Sequence, residues 1–362
     1  MKPRIKHLDL YIIKKYLGTF FYALALIILI TIIFDISEKI DDFLERKPSL
    51  GEIVFDYYMN FIPYFTNLFT SLFTFIAVIF FTSKMASNTE IIAILSSGVS
   101  YRRLLWPYFV ASSIIAIFSY FLMGWIIPPA NTVRLDFEEK YINNAYSNRA
   151  INIHRQIEPG IYIYMESYNN FYNIGYKFSL ERFEDGALKS KLISDYVQWD
   201  TTKSKWTIHN YFIREYHDSL ENIQSGTSID TTLNILPSDF SQRLTVVESM
   251  NNRELDDFIK AQQKAGSENV VVFQIEKHKR YAYPFSTFIL ALIGVTLSSR
   301  KTRGGIGLNI GIGLLFAFTY IMFMQVSTVF SINANMDPMI AVWIPNLVYA
   351  VIGLFLYRWA AK

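Results

Sequence analysis

Long uncharged, apolar runs alternate with polar segments along the chain, and six of these runs are long enough to cross a membrane. A helix needs about 20 apolar residues to span the hydrocarbon core of a bilayer. Three runs precede a long polar region and three follow it: 16–34, 57–83, 104–133, 281–299, 304–336 and 338–357. The pattern predicts six transmembrane helices in two groups of three.

The region between the two groups, 134–280, has the pattern of short strands flanked by helices. Ile161 and Ile163 alternate with tyrosines, and Asp185-Gly186 has the composition of a hairpin turn. Repeated short strands are typical of a β-sandwich or a partly open barrel. The predicted fold class is a membrane α-helical protein with six transmembrane helices (3+3) and an inserted all-β domain. The predicted boundaries are 1–133 for helices one to three, 134–280 for the β domain and 281–362 for helices four to six.

Lysine and arginine in the short loops predict the orientation of the chain, because cytoplasmic loops carry an excess of these residues. The N-terminal segment and the loops around 84–103 and 300–303 are basic. The loop 35–56 holds seven acidic residues against three basic ones, and the loop 331–337 has no basic residue. We therefore expect both termini in the cytoplasm and the β domain on the outer side of the membrane.

Composition agrees with this class and excludes several others. Hydrophobic residues make up 52% of the chain and charged residues only 18%, which argues against a disordered chain, a coiled coil or a purely soluble enzyme. A net charge of +3 gives no reason to expect a nucleic-acid partner. The chain has no cysteine, and its five histidines lack metal-ligand spacing. We expect no metal site and no catalytic residue.

The loop between the second and third spans contains the most informative pattern, a predicted short helix at about 88–97. Ser87 and Glu90 have the spacing of a capping box, and Gly98 suits the left-handed position after a helix. A helix of two turns is marginal alone and needs a packing partner. That partner is either the membrane surface or a groove on a cytoplasmic protein. The helix offers one apolar stripe: Ile91, Ile94 and Leu95.

The order of several motifs resembles that of the LptF/LptG permease family, the membrane subunits of the lipopolysaccharide exporter. These motifs are Leu8-Asp9-x-Tyr11-Ile12, Arg102-Arg103-Leu104, Glu276-x-His278-Lys279-Arg280 before Pro284-Phe285-Ser286, and Gly305-x-Gly307 before Gly311-x-Gly313. The resemblance covers the whole chain. The opening residues and the fifth span favour an LptG-like over an LptF-like member.

The resemblance implies one half of an ABC transporter with a periplasmic β domain of the jelly-roll type. ATP and Mg²⁺ would be bound by a separate cytoplasmic ATPase dimer of the LptB type, and this sequence has no Gly-x-x-x-x-Gly-Lys-Ser/Thr phosphate loop. Other implied partners are an LptF-like second permease, periplasmic jelly-roll proteins of the LptC and LptA types, and lipopolysaccharide. The implied ATPase contacts are Glu90, Ile91, Ile94, Leu95 and Gly98.

An amphiphilic lipid with an anionic head group would need a cavity that is apolar at depth and basic at its rim. LptG-type members place a lysine at the outer end of the first helix. The equivalent position here is about Asp35, so Lys39, one turn onward, is the predicted replacement. Asp35 would solvate the helix end or hold a divalent cation with the lipid, and we favour solvation. The apolar candidates are Phe61, Phe65, Phe69, Phe316 and Phe323 in the spans, and Ile161, Ile163, Phe178 and Leu180 in the β domain. Each is also compatible with ordinary helix or core packing.

The predicted function is a permease subunit that extracts lipopolysaccharide from the inner membrane and passes it to a periplasmic bridge of β-jelly-roll proteins. Two alternatives remain: a membrane-anchored scaffold for envelope proteins, and a permease of another lipid or lipoprotein ABC exporter. The spans contain no relay of ionisable residues, which argues against an ion-coupled pump. The glycines of the fifth span predict close packing against a neighbouring helix.

Overall fold

The computed structural model describes residues 7–142, 151–217, 220–241, 244–267, 269–300 and 305–360. Contacts divide the chain into two compact units. The membrane unit holds six long apolar helices, counted over the described residues, and the segment 248–252. The β unit holds seven strands and most of a helix that follows them. The predicted fold class, an α-helical membrane protein with an inserted β domain, is confirmed.

Most predicted spans are parts of longer helices, whereas the fifth span helix ends at Asn333, three residues before its predicted end, and some spans consist of several segments. The span helices run over His7–Arg46, Glu52–Ser87, Tyr101–Tyr141, Val270–Ser298, Gly305–Asn333 and Pro338–Ala360. The α-helices in chain order are α1 (His7–Arg46), α2 (Met59–Ser87), α3 (Glu90–Ser96), α4 (Tyr101–Phe121), α5 (Ile127–Tyr141), α6 (Ser238–Ser241), α7 (Asn252–Lys264), α8 (Val270–Ser298), α9 (Gly305–Asn333) and α10 (Pro338–Ala360). One π-helical segment, Glu52–Tyr58, leads into α2, and another, Leu122–Ile126, joins α4 to α5.

The first helix is much longer than a bilayer is thick. It contains 40 residues, which corresponds to about 60 Å at 1.5 Å per residue, whereas the hydrocarbon core measures about 30 Å. Charged residues bound the apolar run without ending the helix, because water can solvate them beyond the apolar layer. The two ends of α1 can therefore carry charged groups that contact neighbouring helices.

The core of the membrane unit follows one face of α1. Ile12, Tyr16, Phe20 and Leu24 recur every four residues, a spacing that puts them on one side of a helix, and all four are buried. They pack against α2 and α4, where the Tyr16 ring stacks on Phe81 with centroids 5.6 Å apart. This spacing of large side chains along α1 therefore fixes which face of the helix is buried.

The predicted close packing of the fifth span holds at one of its four glycines. A Cβ atom at Gly313 would collide with the tip of the Ile79 side chain of α2, so any other residue there would force that side chain to move. Built Cβ atoms at the other three meet nothing within 4 Å: Gly305, Gly307 and Gly311. Within this chain the predicted close packing is therefore not seen at those three positions.

The β unit is one antiparallel sheet in which most sequence neighbours pair. Strands β3 and β4 each pair with both β2 and β5. They do so at successive positions along those two longer strands. The predicted turn at Asp185-Gly186 connects β4 and β5, with φ values of 50° and 78°. The strands are β1 (Ile151–Glu158), β2 (Ile161–Asn169), β3 (Ile174–Tyr176), β4 (Ser179–Glu184), β5 (Ala187–Asp200), β6 (Lys205–His217) and β7 (Leu220–Thr231).

One face of the sheet builds the core of the β unit. Trp206 is fully buried in it, and its indole nitrogen donates to the carbonyl of Ile235 at 2.8 Å. This bond satisfies the single donor of a large apolar ring. The cluster also includes residues of β2, β5 and β6: Ile163, Met165, Leu192, Val197 and Ile208.

Candidate functional site

The short loop helix exists, but its N-terminus differs from the predicted capping box. The helix α3 spans Glu90–Ser96, and Thr89 precedes it with a left-handed φ of 64° and no side-chain cap. Ser87 is the last residue of α2. Its backbone is therefore helical and not extended as a capping residue requires, so the predicted box was wrong. Gly98 has the expected left-handed conformation, with φ 87°.

The apolar stripe of α3 faces the protein's own core. Ile91 is 1% exposed and belongs to the cluster around Ile12 and Tyr16, and Ile94 and Leu95 pack against the same cluster. The packing partner that so short a helix needs is thus supplied within the chain. Ile91 is therefore not available to a partner in this conformation, whereas Ile94 and Leu95 are half-buried and their contact with an ATPase stays a prediction. The outward face of α3 is formed by Ile92, Ala93 and Ser96.

The carboxylate of Glu90 is held by two donors. The Tyr11 hydroxyl donates to Oε2 at 2.9 Å, and the Asn88 side-chain amide donates to Oε1 at 3.2 Å. Tyr11 belongs to α1, 79 residues earlier in the chain. Glu90 therefore joins the loop helix to the first turns of α1, a contact that a capping role alone would not give.

A second contact near the loop helix joins the start of α1 to the start of α4. Arg103 donates to both carboxylate oxygens of Asp9, at 2.7 and 2.6 Å. The Asp9 side chain is only 3% exposed, whereas that of Arg103 is 37% exposed. Bidentate arginine–carboxylate pairs are strong and directional, so this pair fixes the two helix ends relative to each other.

The other end of α1 carries a different cluster. Asp35 lies 2.8 Å from the Lys39 ammonium group, and both side chains are less than a fifth exposed. The hydroxyls of Tyr57 and Tyr58 donate to the two oxygens of Asp35 at 3.2 and 3.1 Å. Lys39 also donates to the Tyr57 hydroxyl. The expectation that Asp35 solvates the helix end was wrong, because its carboxylate is already satisfied by these partners.

The phenylalanines predicted on the second span form a ladder of ring contacts. Phe61 is buried against Tyr57 and Tyr58, its ring centroid lies 3.9 Å from that of Phe65, and Phe65 contacts Phe69. Phe61 thus fills the core and offers no free surface in this conformation. The order along the ladder runs from buried to partly exposed.

A cavity of about 240 Å³ adjoins the ladder at Phe69, between α2, α8 and α9. Its wall is largely apolar, with polar groups from Asn67, Tyr320 and Gln325. The two phenylalanines predicted on α9 are half-buried elsewhere on that helix, and Phe316 meets the Tyr349 ring edge-on. Phe69 is therefore the predicted phenylalanine that lines this cavity, and the sequence analysis did not predict its neighbours on α9, among them Tyr320 and Gln325.

The four residues predicted in the β domain lie in or beside its core. Ile163 and Phe178 are fully part of it, and Leu180 packs against it. Ile161 is half-buried at the start of β2. The first three therefore have an ordinary packing role in this conformation.

Arg134 on α5 is a charged residue that the sequence analysis missed, because the uncharged run ends at 133. Its side chain is bound to Glu138 and to Asn131, both at 3.2 Å, and lies 4.8 Å from the centre of the Tyr64 ring. The spacing of Arg134 and Glu138, four residues apart, is the signal that could have found this pair. In the same region the pKa of Glu248 is raised to about 7, mainly because the side chain is buried and secondly because the negative charge of Glu276 is near.

The model of one family, the lipopolysaccharide export system permease LptF/LptG, matches residues 10–359. No curated protein matches the sequence. The matched range includes nearly all of α1, the loop helix, the whole β unit and the last three spans. The chain therefore belongs to the LptF/LptG family of lipopolysaccharide export permeases, multi-pass inner-membrane transport subunits that carry no ATPase of their own.

Proposed function

We propose that this permease extracts lipopolysaccharide from the outer leaflet of the inner membrane and passes it to a periplasmic bridge of jelly-roll proteins. A cytoplasmic ATPase dimer of the LptB type supplies the energy from ATP and Mg²⁺. An LptF-like second subunit completes the pathway, since we favour an LptG-like identity for this chain. LptC-like and LptA-like proteins receive the lipid. Both termini and α3 face the cytoplasm, and the β unit faces the periplasm.

The observation that carries this proposal is the attachment of α3 to the first helix. The outward face of α3 is accessible, with Ile92 52% exposed, while the opposite face packs on the core through Ile91. A partner that pushes on Ile92 therefore moves a helix that is fixed to α1 by the bond from Tyr11 to Glu90. In this proposal Gly98 ends α3 sharply, and Ile94 and Leu95 transmit the displacement to the core.

The first helix is the element that carries the displacement across the membrane. It is continuous from His7 to Arg46, so a movement at Asp9 reaches Asp35, about 39 Å further along the axis at 1.5 Å per residue. Lys39 lies one turn beyond Asp35 and is the proposed contact for a lipid phosphate. To make that contact, the ammonium group exchanges the Asp35 carboxylate for the phosphate.

Apolar surfaces near the proposed path would receive the acyl chains. On α2, Phe69 lines the cavity and Phe65 lies one turn before it, and both are half-buried. On α9, Phe316 and Phe323 are also half-buried. Phe61 would take part only after a rearrangement of its buried contacts. In the β unit the proposed lipid-facing side chains are those of the apolar face: Ile161, Ile163, Phe178 and Leu180.

The experiment that tests the proposal compares wild type, Glu90→Lys and the control Glu45→Lys after purification in mild detergent. Glu45 is an exposed acid near the far end of α1, so its reversal changes net charge equally. We expect wild type and control to bind an ATPase whose ATP hydrolysis lipopolysaccharide stimulates, and Glu90→Lys to lose the ATPase or the stimulation. If no ATPase binds any of the three chains, the scaffold function replaces the transporter. If hydrolysis responds to another lipid or lipoprotein only, the substrate assignment fails.

A further inference from the structure

A cavity of about 370 Å³ lies between α4, α8 and α10, and its wall is almost wholly apolar. Ala291 and Val295 line it and are buried, whereas Phe109 and Leu354 line it and are each more than half exposed. The Phe109 ring lies 5.3 Å from that of Phe288, which connects α4 to α8. The cavity therefore has a closed base and an open edge on the surface of the membrane unit.

The polar side chains of the cavity wall already have partners in the protein core. The Tyr108 hydroxyl lies 3.0 Å from that of Thr82, and the Ser112 hydroxyl lies 3.2 Å from that of Tyr16. All other described residues that line the cavity have apolar side chains. A buried water needs two to four polar partners, so this wall suits an apolar occupant. The apolar groups that surround a membrane-spanning unit are the acyl chains of the bilayer.

The ends of the same three helices meet about one turn beyond the cavity. The Tyr101 hydroxyl of α4 lies 3.1 Å from that of Ser299, which directly follows α8. The Tyr101 ring lies 6.0 Å from the ring of Tyr357 on α10. The lining residues Leu105 and Leu354 are four and three residues from these two tyrosines. The cavity therefore lies next to this end of the three helices.

Each of the three contact residues has an arginine as its sequence neighbour: Arg102, Arg300 and Arg358. Arg300 is held in place, because it donates to the carbonyls of Trp359 and Ala360 at 3.0 and 3.1 Å and lies 5.0 Å from the centre of the Trp359 ring. All three arginines are exposed, and within the described parts of the chain no carboxylate forms an ion pair with any of them. Three uncompensated positive charges thus lie at one end of an apolar cavity.

Helical spacing puts two of these arginines on the side of the cavity. Arg102 precedes the lining residue Leu105 by three positions, and Arg358 follows Leu354 by four. Residues three or four positions apart lie on the same face of a helix. Arg103, the next residue of α4, is instead bound to a carboxylate of α1. The neighbouring arginines of α4 therefore serve different contacts.

We propose that this site binds an anionic glycerophospholipid of the surrounding bilayer, with an acyl chain in the cavity and the phosphate at the three arginines. Basic pockets between transmembrane helices suit anionic head groups, and a guanidinium group matches phosphate oxygens in geometry and charge. The bound lipid would connect α4, from the first group of spans, to α8 and α10, from the second.

This lipid is not the exported one. Arg103 binds Asp9 near the start of α1, so the site lies at the other end of α1 from Lys39, the proposed contact of the exported lipid. In the orientation proposed above, the bound phospholipid comes from the cytoplasmic leaflet. The inference goes beyond the export function and does not depend on it, because a bilayer surrounds the spans whatever the chain transports.

The test is photocrosslinking of the full-length protein in phosphatidylcholine vesicles. The probes are phosphatidylglycerol and phosphatidylcholine, which carry the same photoreactive acyl chain and differ in head-group charge. Mass spectrometry of the digested protein locates the labelled residues. In wild type we expect phosphatidylglycerol to label the cavity residues of α4 and α10 at least about twenty-fold better than phosphatidylcholine, since each arginine near the membrane surface contributes about five-fold.

The head-group variant combines Arg102→Gln with Arg358→Gln. We expect it to lower the labelling ratio of the two lipids about twenty-fold and to unfold at the wild-type temperature, because neither exposed side chain loses a described partner. The control combines Lys14→Gln with Lys15→Gln, which removes two exposed charges near the start of α1. The control should keep the wild-type ratio.

The cavity variant is Ala350→Phe, which places a ring in the space of the acyl chain. It should abolish labelling of the cavity residues by both probes. The control Val351→Phe adds the same ring at the neighbouring position, which is 67% exposed, and should leave the labelling unchanged.

Three results would overturn the proposal: equal labelling of the cavity by both lipids in wild type, an unchanged ratio in the arginine variant, or an equal fall in the lysine control. If the arginine variant loses a bound ATPase and keeps the lipid preference, its arginines contact the ATPase and the lipid site is wrong. If Ala350→Phe does not fold, the arginine variant still decides. Loss of the lipid preference with intact stimulation of ATP hydrolysis by lipopolysaccharide would leave the export function in place.

Discussion

Each end of α1 carries an ion pair between an aspartate and a basic residue, but the two pairs connect different parts of the chain. At the N-terminal end, Asp9 binds Arg103 of α4, 94 residues away in sequence. At the C-terminal end, Asp35 binds Lys39 on the same helix, and tyrosine hydroxyls make the link to the next segment. A pair between two helices resists their relative movement, whereas a pair within one helix mainly neutralises its own charges.

This difference agrees with the proposed function, in which an ATPase acts on the N-terminal end of α1. The N-terminal end holds α1, α3 and α4 together through the pair of Asp9 and the bond of Tyr11 to Glu90. At the C-terminal end the Asp35 carboxylate occupies Lys39, and in the proposed function a lipid phosphate replaces that carboxylate. The rigid contact would transmit a displacement, and the exchangeable one would respond to substrate.

The largest effect that we predict comes from breaking the pair between helices. Arg103→Gln removes the bidentate partner of the buried Asp9 carboxylate, and the loss of a hydrogen bond to a charged group costs about 1.5–3 kcal/mol. We expect a clear fall in the thermal unfolding midpoint in detergent. The double variant Asp9→Asn with Arg103→Gln should lose less than the sum of the two single variants.

The matched control for this prediction is Lys39→Gln, which breaks the pair within α1. Its cost should be smaller, because the Tyr57 and Tyr58 hydroxyls still donate to Asp35. Equal destabilisation by Arg103→Gln and Lys39→Gln would contradict the distinction between the two ends.

A smaller effect should follow from removing a single hydroxyl at the N-terminal end. Tyr11→Phe deletes the donor to Glu90 while the ring remains, and an individual hydrogen bond contributes about 1 kcal/mol. We expect ATPase binding to persist, with lipid-stimulated hydrolysis reduced about five-fold and unfolding nearly unchanged, since Tyr11 is exposed. The control is Tyr22→Phe on the same helix, at an exposed position. A Tyr11→Phe variant with wild-type stimulation would show that Glu90 acts without this bond.

The sequence predicted the helices better than it predicted the contacts between them. Apolar runs locate all six spans because each must exclude charge over the bilayer thickness, yet they place the ends of α1 nine and twelve residues too far inward. The motifs with Asp9 and Arg103 were recognised separately, but their pairing depends on how α1 packs against α4. The direction of Ile91 likewise depends on which neighbour covers it.

One contact was within reach of sequence reasoning. Asp35 and Lys39 are four residues apart on a continuous helix, the spacing at which opposite charges meet. The expectation of a free Asp35 neglected that spacing.

The smallest predicted effect concerns the ion pair of Asp35 and Lys39 near the C-terminal end of α1. Asp35→Asn removes the carboxylate that occupies Lys39, while its amide oxygen can still accept from a tyrosine hydroxyl. If Asp35 competes with lipid phosphate for the lysine, the variant should bind lipopolysaccharide about two-fold more tightly, because an ion pair between residues four apart on a helix contributes about 0.2–0.5 kcal/mol. Binding measured by lipid titration of the purified chain should then fall again in Asp35→Asn combined with Lys39→Gln. Asp42→Asn, further along α1, is the control and should leave affinity unchanged. A loss of affinity in Asp35→Asn would mean that the carboxylate positions Lys39 for the lipid, and the two ends of α1 would then both act through fixed geometry.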